Sequence, residues 1–228
     1  MGNRKIPSVW NRVVMGAQRV TPSVPRTGDI VLPPISRAPD LPLELSGLMP
    51  NRDHNGDLMR EVERLPRCPA DQRPVIGILA GDPFLRVDQL ADRLEEKGYR
   101  DVANLPSVSQ YGAAFRTLLN DLNVGVAREM RVLGELARLG FAVSVAVAHN
   151  DDIVPALALA PACLFVVPSF DLWENGRLDT ESLLALCSEV AERRQGLASQ
   201  TPIVLFAGHT SISPAQMRAA GAEGLLYD

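Results

Sequence analysis

Short apolar runs that spill into polar residues at their C-terminal ends recur along the chain. They read PVIGILAGDPF at 74–84, DVANLPS at 101–107, FAVSVAVAHN at 141–150, CLFVVPSFD at 163–171 and IVLFAGHT at 203–210. Helix-like segments alternate with them, so the runs read as buried parallel strands joined by crossovers. The polar tails then gather at one end of a sheet, where a pocket can form.

The helical segments carry their own start and stop signals. Asp57 can cap LMREVERL, Val87 through Leu94 present an amphipathic face in RVDQLADRLEEKG, and Gly98 stops that helix. YGAAFRTLLNDL is followed by the long periodic GVAREMRVLGELARLG, closed by Gly140. Asp151 and Asp152 are cap candidates for IVPALALA, and helices are expected near 179–197 and 213–220, with a last strand at 224–227.

The first 56 residues are the least regular. RVVMGAQ at 12–18 and DIVLPPISR at 29–37 read as two short strands, and the segment between them, with Pro22, Pro25 and Gly28, is too short and broken for a crossover helix. Residues 38–56, with Pro39, Pro42, Pro50 and Gly56, read as an irregular arm whose LSGLMP core packs. Eight strands in a one-way strand-helix rhythm favour a single (β/α)8 TIM-like barrel domain over 1–228, rather than a Rossmann-type sheet. Its first crossover is shortened and its final helix absent. A partner subunit is expected to cover the side near Tyr227 and Asp228, making a homo-oligomer.

Composition narrows the function classes. A chain of 228 residues with 46% hydrophobic content supplies one barrel core, not two catalytic domains. A formal charge of -4 and a pI near 5.5 give no broad cationic surface for nucleic acid. Cys68, Cys163 and Cys187 show no metal-site spacing, and no segment has a signal-peptide or membrane-span profile, so a reduced, soluble, cytoplasmic protein is expected.

Several residues converge on one rim if the barrel closes. Asp82 follows a strand and a glycine; it could hold a divalent cation or take a substrate proton, or serve only as a cap or Asx turn before Pro83. Asn104 ends the next strand and could stabilise an enolate oxygen or hold a loop backbone. Arg116 can grip a carboxylate bidentately or pair on the surface, and Glu129 can reach the pocket as base or metal ligand or stay exposed among Arg128 and Arg131. His149 and His209 each follow an apolar run, which places two imidazoles at the same mouth as proton carriers. Asp171 and Glu174 offer further carboxylates beside Trp173. Nucleophilic hydrolysis lacks support: there is no G-x-S-x-G elbow, and Cys163 and Cys187 sit where packing residues sit.

The segments LSGLMPNRDHN at 45–55, GDPF at 81–84, NLPSVSQYGAAFR at 104–116 and LNDLNVGVAREMRVLGELARLGF at 119–141 resemble the phosphoenolpyruvate hydrolase-like TIM-barrel family, also found as the C-terminal domain of proteins related to the tomato mosaic virus resistance protein. The resemblance runs from about 28 to 228 and matches family motifs at Gly47, Asn55, Asp82, Asn104, Arg116 and Glu129. It implies a barrel related to enzymes that act on phosphoenolpyruvate, isocitrate and other enolate-forming acids. GAQRVTPSV, VVPSFDLWENG and AGHTSIS stand where the family has a glycine-rich first loop, a histidine with small residues and a histidine-glycine-glycine region, so a changed substrate or reaction is expected.

The expected activity is that of a small-molecule enzyme working on a carboxylate or carbonyl through an enolate-like state, by lyase, hydrolase or isomerase chemistry. Arg116, Asn55 and Gly47 would contact substrate, Asp82 and Glu129 would manage protons or a cation such as Mg2+, Asn104 would meet developing oxygen charge, and His149 or His209 would act as acid or base. The alternative is a non-catalytic ligand-binding or scaffold barrel.

Overall fold

The computed structural model describes residues 7–14, 25–35, 46, 48, 52–174, 177–208 and 212–227. In chain order these form β1 (Val9–Val14), β2 (Asp29–Leu32), α1 (His54–Arg64), β3 (Val75–Gly77), α2 (Val87–Glu96) and β4 (Asp101–Ala103). There follow α3 (Ala113–Asp121), α4 (Val126–Arg138), β5 (Ala142–Val147), α5 (Ile153–Ala158) and β6 (Cys163–Val166). The chain continues through β7 (Trp173–Glu174), β8 (Arg177–Leu178), α6 (Thr180–Gly196), β9 (Ile203–Phe206), α7 (Pro214–Ala219) and β10 (Gly224–Tyr227).

Eight strands close a parallel barrel in the order β1-β10-β9-β6-β5-β4-β3-β2, while β7 and β8 make a separate antiparallel pair between β6 and α6. Closure is made by β1, which pairs with β2 on one side and β10 on the other, with Trp10 opposite Leu226 and Val13 opposite Val31. Every buried strand needs both faces covered, which is why these segments read as near-continuous apolar runs.

The same ending recurs where helices hand the chain to the next strand. After α2, Gly98 takes φ +80 and Tyr99 N–H bonds the Leu94 carbonyl; after α4, Gly140 takes φ +91 and Phe141 N–H bonds the Leu136 carbonyl. Each is a Schellman closure, and the residue after the glycine, Tyr99 or Phe141, is buried against the barrel. A β-carbon on Gly77 would lie 2.5 Å from the Leu105 carbonyl and 2.6 Å from Leu32, so only glycine lets β3 lie this close to the chain leaving β4.

The helix expected from Asp57 starts earlier. Asp53 caps it by accepting from Gly56 N–H at 2.8 Å, so residues 54–56 belong to α1 and not to the arm. Of the arm before α1, Ser46, Leu48, Arg52 and Asp53 are described; the first two are buried and the last two exposed. The first strand begins at Val9, three residues before the expected start; most of the RVVMGAQ run beyond Val14 lies outside the described residues.

Candidate functional site

Inside the barrel, Trp10 of β1 meets Phe165 of β6 edge-on with ring centroids 5.3 Å apart, and Arg12 sits over the Phe206 ring of β9 at 5.0 Å. Neither partner strand neighbours β1, so both contacts cross the lumen, and the two-residue spacing puts both side chains on the inward face. Arg12 is buried at the C-terminal mouth, where Leu32, Ile35, Leu105, Pro106, Gln110 and Val167 surround it. The space among these side chains is about 10 Å³, room for about one water.

A larger space lies to one side. A groove of about 810 Å³ runs between α1, the loop after β3, α2 and the edge of α3. Leu48, Met59, Leu85 and Leu119 give it apolar walls, and His54, Asn55 and Asp82 supply polar groups, with Arg52 and Arg86 at its edge. Asn55 is buried in the first turn of α1 and reads the loop after β3 three times. Its Oδ1 accepts from Leu79 N–H at 3.1 Å, and its Nδ2 donates to the Leu79 carbonyl at 3.0 Å and to Asp82 Oδ2 at 2.9 Å. The other oxygen of Asp82 accepts from Phe84 N–H at 2.9 Å, the Asx-turn contact, so Asp82 both forms the turn and lines the groove. Arg128 of α4 fixes the same turn from behind through Nη2, 2.8 Å from the Asp82 carbonyl.

The loop after β4 is held by a buried network. Glu129, wholly enclosed, takes Asn104 Nδ2 at 2.7 Å and Ser107 Oγ at 2.6 Å on one oxygen and Val108 N–H at 3.0 Å on the other. Burial pushes its carboxyl up to about 7, against the pull of these donors toward the charged form. Asn104 Oδ1 in turn accepts from Ala146 N–H of β5 at 2.8 Å. Ser109 donates to Asp152 at 2.6 Å, and Arg116 pairs with the other oxygen of Asp152 at 2.5 Å. Burial raises the Asp152 carboxyl, with Ser109 and Arg116 opposing.

His149 Nε2 lies 3.1 Å from the Tyr111 carbonyl, and burial, with Arg116 nearby, pushes its pKa below the usual imidazole value. Tyr111 donates its hydroxyl to the Leu48 carbonyl at 2.5 Å and stacks on Phe170, whose ring lies 5.5 Å away at 8°.

The sequence placed Asp82, Asn104, Arg116, Glu129 and His149 together as a reacting set. The structure groups them otherwise. Asp82 and Asn55 line the groove; Asn104 and Glu129 are enclosed under the loop at 104–110; Arg116 faces Asp152 instead of a free carboxylate site. Glu129 does not line the groove: it is fully buried, and its two oxygens accept from Asn104, Ser107 and Val108. Asp82 and Glu129 do not fit a shared cation, since the Glu129 oxygens are taken by N–H and O–H donors, and no cluster of three or more His, Cys, Asp or Glu with metal-holding geometry exists among the described residues. Gly47 and His209 lie outside the described residues. No helix of the described residues is long and apolar enough to cross a membrane.

Comparison with known proteins fits this architecture. The phosphoenolpyruvate hydrolase-like family profile matches residues 43–222. The chain belongs to that family. Curated relatives include the ToMV resistance protein Tm-1(GCR237) of Solanum lycopersicum, 26% identical over 142 residues, a span of 62% of this chain and 19% of the tomato protein. The match thus spans about a fifth of that relative. The uncharacterized protein y4oT of Sinorhizobium fredii is 31% identical over 144 residues, covering 63% of this chain and 68% of the relative. Among solved structures, a flavocytochrome b2 variant with sulfite bound superposes with a TM-score of 0.51 at 11% identity, covering 97% of this chain and 56% of the other, a likeness of fold.

Within this family member, the segment 104–116 that carries the resemblance is the loop that Glu129 and Asp152 hold in place. Sequence reasoning missed Ser107, Ser109, Gln110 and Arg12; the S-x-x-Q capping box of Ser107 and Gln110 is a local signal, while the contacts of Ser107 with Glu129, Ser109 with Asp152 and Gln110 with the Pro168 carbonyl are tertiary. The signal for Arg12 was present: an arginine at an inward position of a strand in a closed barrel points its charge into the lumen.

Proposed function

We propose that this barrel binds a small carboxylate- or carbonyl-bearing molecule with an apolar body in the groove beside β3, and that Asp82 takes a proton from it through an enolate-like state. The observation that carries this reading is the setting of Asp82: a carboxylate locked in orientation by Asn55 and Phe84 N–H, half-exposed, lining a groove of about 810 Å³ at the strand ends where barrel enzymes place their chemistry. Each Asp82 oxygen accepts one hydrogen bond and retains acceptor capacity. In the proposed step the proton on the carbon beside the carbonyl moves to an Asp82 oxygen, the C–H pair becomes the C=C bond of the enolate, and the carbonyl π pair moves onto its oxygen, where Arg52 or Arg86 meets the charge. Met59, Leu85 and Leu119 take the apolar body.

Binding is tested with 4-methyl-2-oxopentanoate against acetate by thermal shift and calorimetry. The reading predicts saturable stabilisation by the oxo acid and its loss in Asp82→Ala; absence of saturable binding to the wild type would contradict it.

One observation favours a second reading, a ligand-binding barrel without turnover. Asn104 and Glu129, two of the expected reacting groups, are committed with Asp152 to holding a loop. Binding without proton exchange is what that reading predicts.

Self-association is proposed with either reading. Helix α3 buries none of its residues, and Phe115 and Leu118, with Leu122 just beyond it, stand 45%, 48% and 62% exposed at a spacing of three and four along one face. A second copy would cover that stripe.

A further inference from the structure

The outer side of α4 carries a second recess, of about 710 Å³, walled by α3, by the first turns of α4 and by the turn from Asp151 to Pro155. Its charge balance differs from that of the groove beside β3, where Arg52, Arg86 and Arg93 stand with the three carboxylates Asp53, Glu63 and Asp82. Three arginines line it, Arg116, Arg128 and Arg131, together with the neutral hydrogen-bonding side chains Thr117, Asn120 and Asn123. Against three positive charges stand the two aspartates Asp151 and Asp152, and Asp152 is already spent on Arg116 and Ser109.

The three arginines are held in different ways. Arg116 directs Nη2 to Asp152, while its Nε is enclosed and meets no acceptor among the described residues. Arg128 gives Nε and Nη2 to the Asp82 carbonyl, a neutral acceptor that leaves its charge unbalanced. Arg131 is exposed and makes no ion pair among the described residues. Two guanidinium charges not matched by a carboxylate, one of them fixed in place by backbone, form an anion trap in a chain whose overall charge is negative.

We propose that this recess binds a small molecule bearing a phosphate or similar tetrahedral oxyanion, gripped by Arg128 and Arg131 with Arg116 at its inner wall. The recess has the volume of a small-molecule site, and its asparagines and threonine offer partners to hydroxyl groups attached to the anion. The proposal stands apart from the reading of the groove: an oxyanion bound here requires no activity at Asp82.

The test is calorimetric titration of the full chain with inorganic phosphate and with pyrophosphate at constant ionic strength maintained with chloride. Arg131→Glu is the decisive variant, because this exposed side chain contributes nothing to the core, and Arg138→Glu on the same helix but outside the recess is the control. Saturable phosphate binding that falls roughly tenfold or more in Arg131→Glu and is unchanged in Arg138→Glu is the expected result. Equal loss in both variants means a diffuse charge effect and overturns the proposal, as does an unchanged affinity in Arg131→Glu. A wild-type protein that shows no saturable heat with either anion overturns it as well.

Discussion

The side-chain amide of Asn55 donates to the carboxylate of Asp82 at 2.9 Å, tying the first turn of α1 to the loop that leaves β3. The same Asn55 side chain also exchanges hydrogen bonds with both backbone groups of Leu79, so one buried residue positions the strand end and the carboxylate beside it. Replacing it with alanine leaves the Leu79 N–H and carbonyl without their partners. Asn55→Ala is expected to cost about 2–4 kcal/mol in urea unfolding, from several lost buried hydrogen bonds. It should also weaken groove ligands, since Asp82 loses its anchor. A loss below about 0.5 kcal/mol would mean that Asn55 is incidental to the loop.

Glu129 gives a pH signature. Its carboxyl sits at about 7 in the folded protein against an ordinary 4.5, with burial the main cause. A raised folded value contributes stability that is fully present below the unfolded pKa and is lost as pH rises through the folded one. Wild-type stability should therefore decline between about pH 4.5 and 7, by up to about 3 kcal/mol from this group. Glu129→Gln, which cannot ionise, should remove that slope whatever it does to absolute stability. Parallel pH profiles for the two proteins would show that Glu129 does not titrate in this range.

Arg116 and Asp152 form an ion pair that is nearly enclosed, with side-chain exposures of 15% and 5%. Removing the arginine alone leaves a buried carboxylate beside Ser109; Arg116→Met is expected to cost about 3–5 kcal/mol, while the double variant Arg116→Met, Asp152→Asn recovers much of it. Denaturant unfolding of the four proteins in a double-mutant cycle measures the coupling. Simple additivity would contradict the pairing.

The barrel was readable because parallel strands buried on both faces leave unbroken apolar runs, and β3, β5, β6 and β9 each stand inside the run that announced them. The start of β1 was placed at Arg12 because Asn11 interrupts the apolar run in VWNRVV, and the inward position of Arg12 shows only once closure is known. The functional residues were legible only as types. Spacing identifies Asp82 as a carboxylate after a strand, but whether Glu129 meets a substrate or a loop depends on Ser107 and Val108, some twenty residues earlier, folding onto it. His149 stands where expected, after β5, yet its ring meets the carbonyl of Tyr111, a contact between loops that no local pattern encodes.

The exposed stripe on α3 makes a further prediction. Leu118→Glu introduces a charge at a side chain that touches no core, so monomer stability should change by no more than about 0.5 kcal/mol. Sedimentation velocity should show wild-type assembly and a variant shifted toward monomer. A monomeric wild type would contradict the proposed self-association.

The central claim is that Asp82 takes a proton from a carbonyl substrate, and its most direct measurement is solvent deuterium exchange at the carbon beside the carbonyl. Proton NMR follows 4-methyl-2-oxopentanoate in D2O with wild type and with Asp82→Asn, which keeps the shape of the side chain and, through its one oxygen, one of the two hydrogen bonds from Asn55 and Phe84, but cannot accept a proton. The account predicts exchange above the enzyme-free rate with wild type and a fall of at least about a hundredfold in the variant, the scale of a general base. Exchange that persists undiminished in Asp82→Asn, or its absence in a wild type that binds the acid, would contradict it.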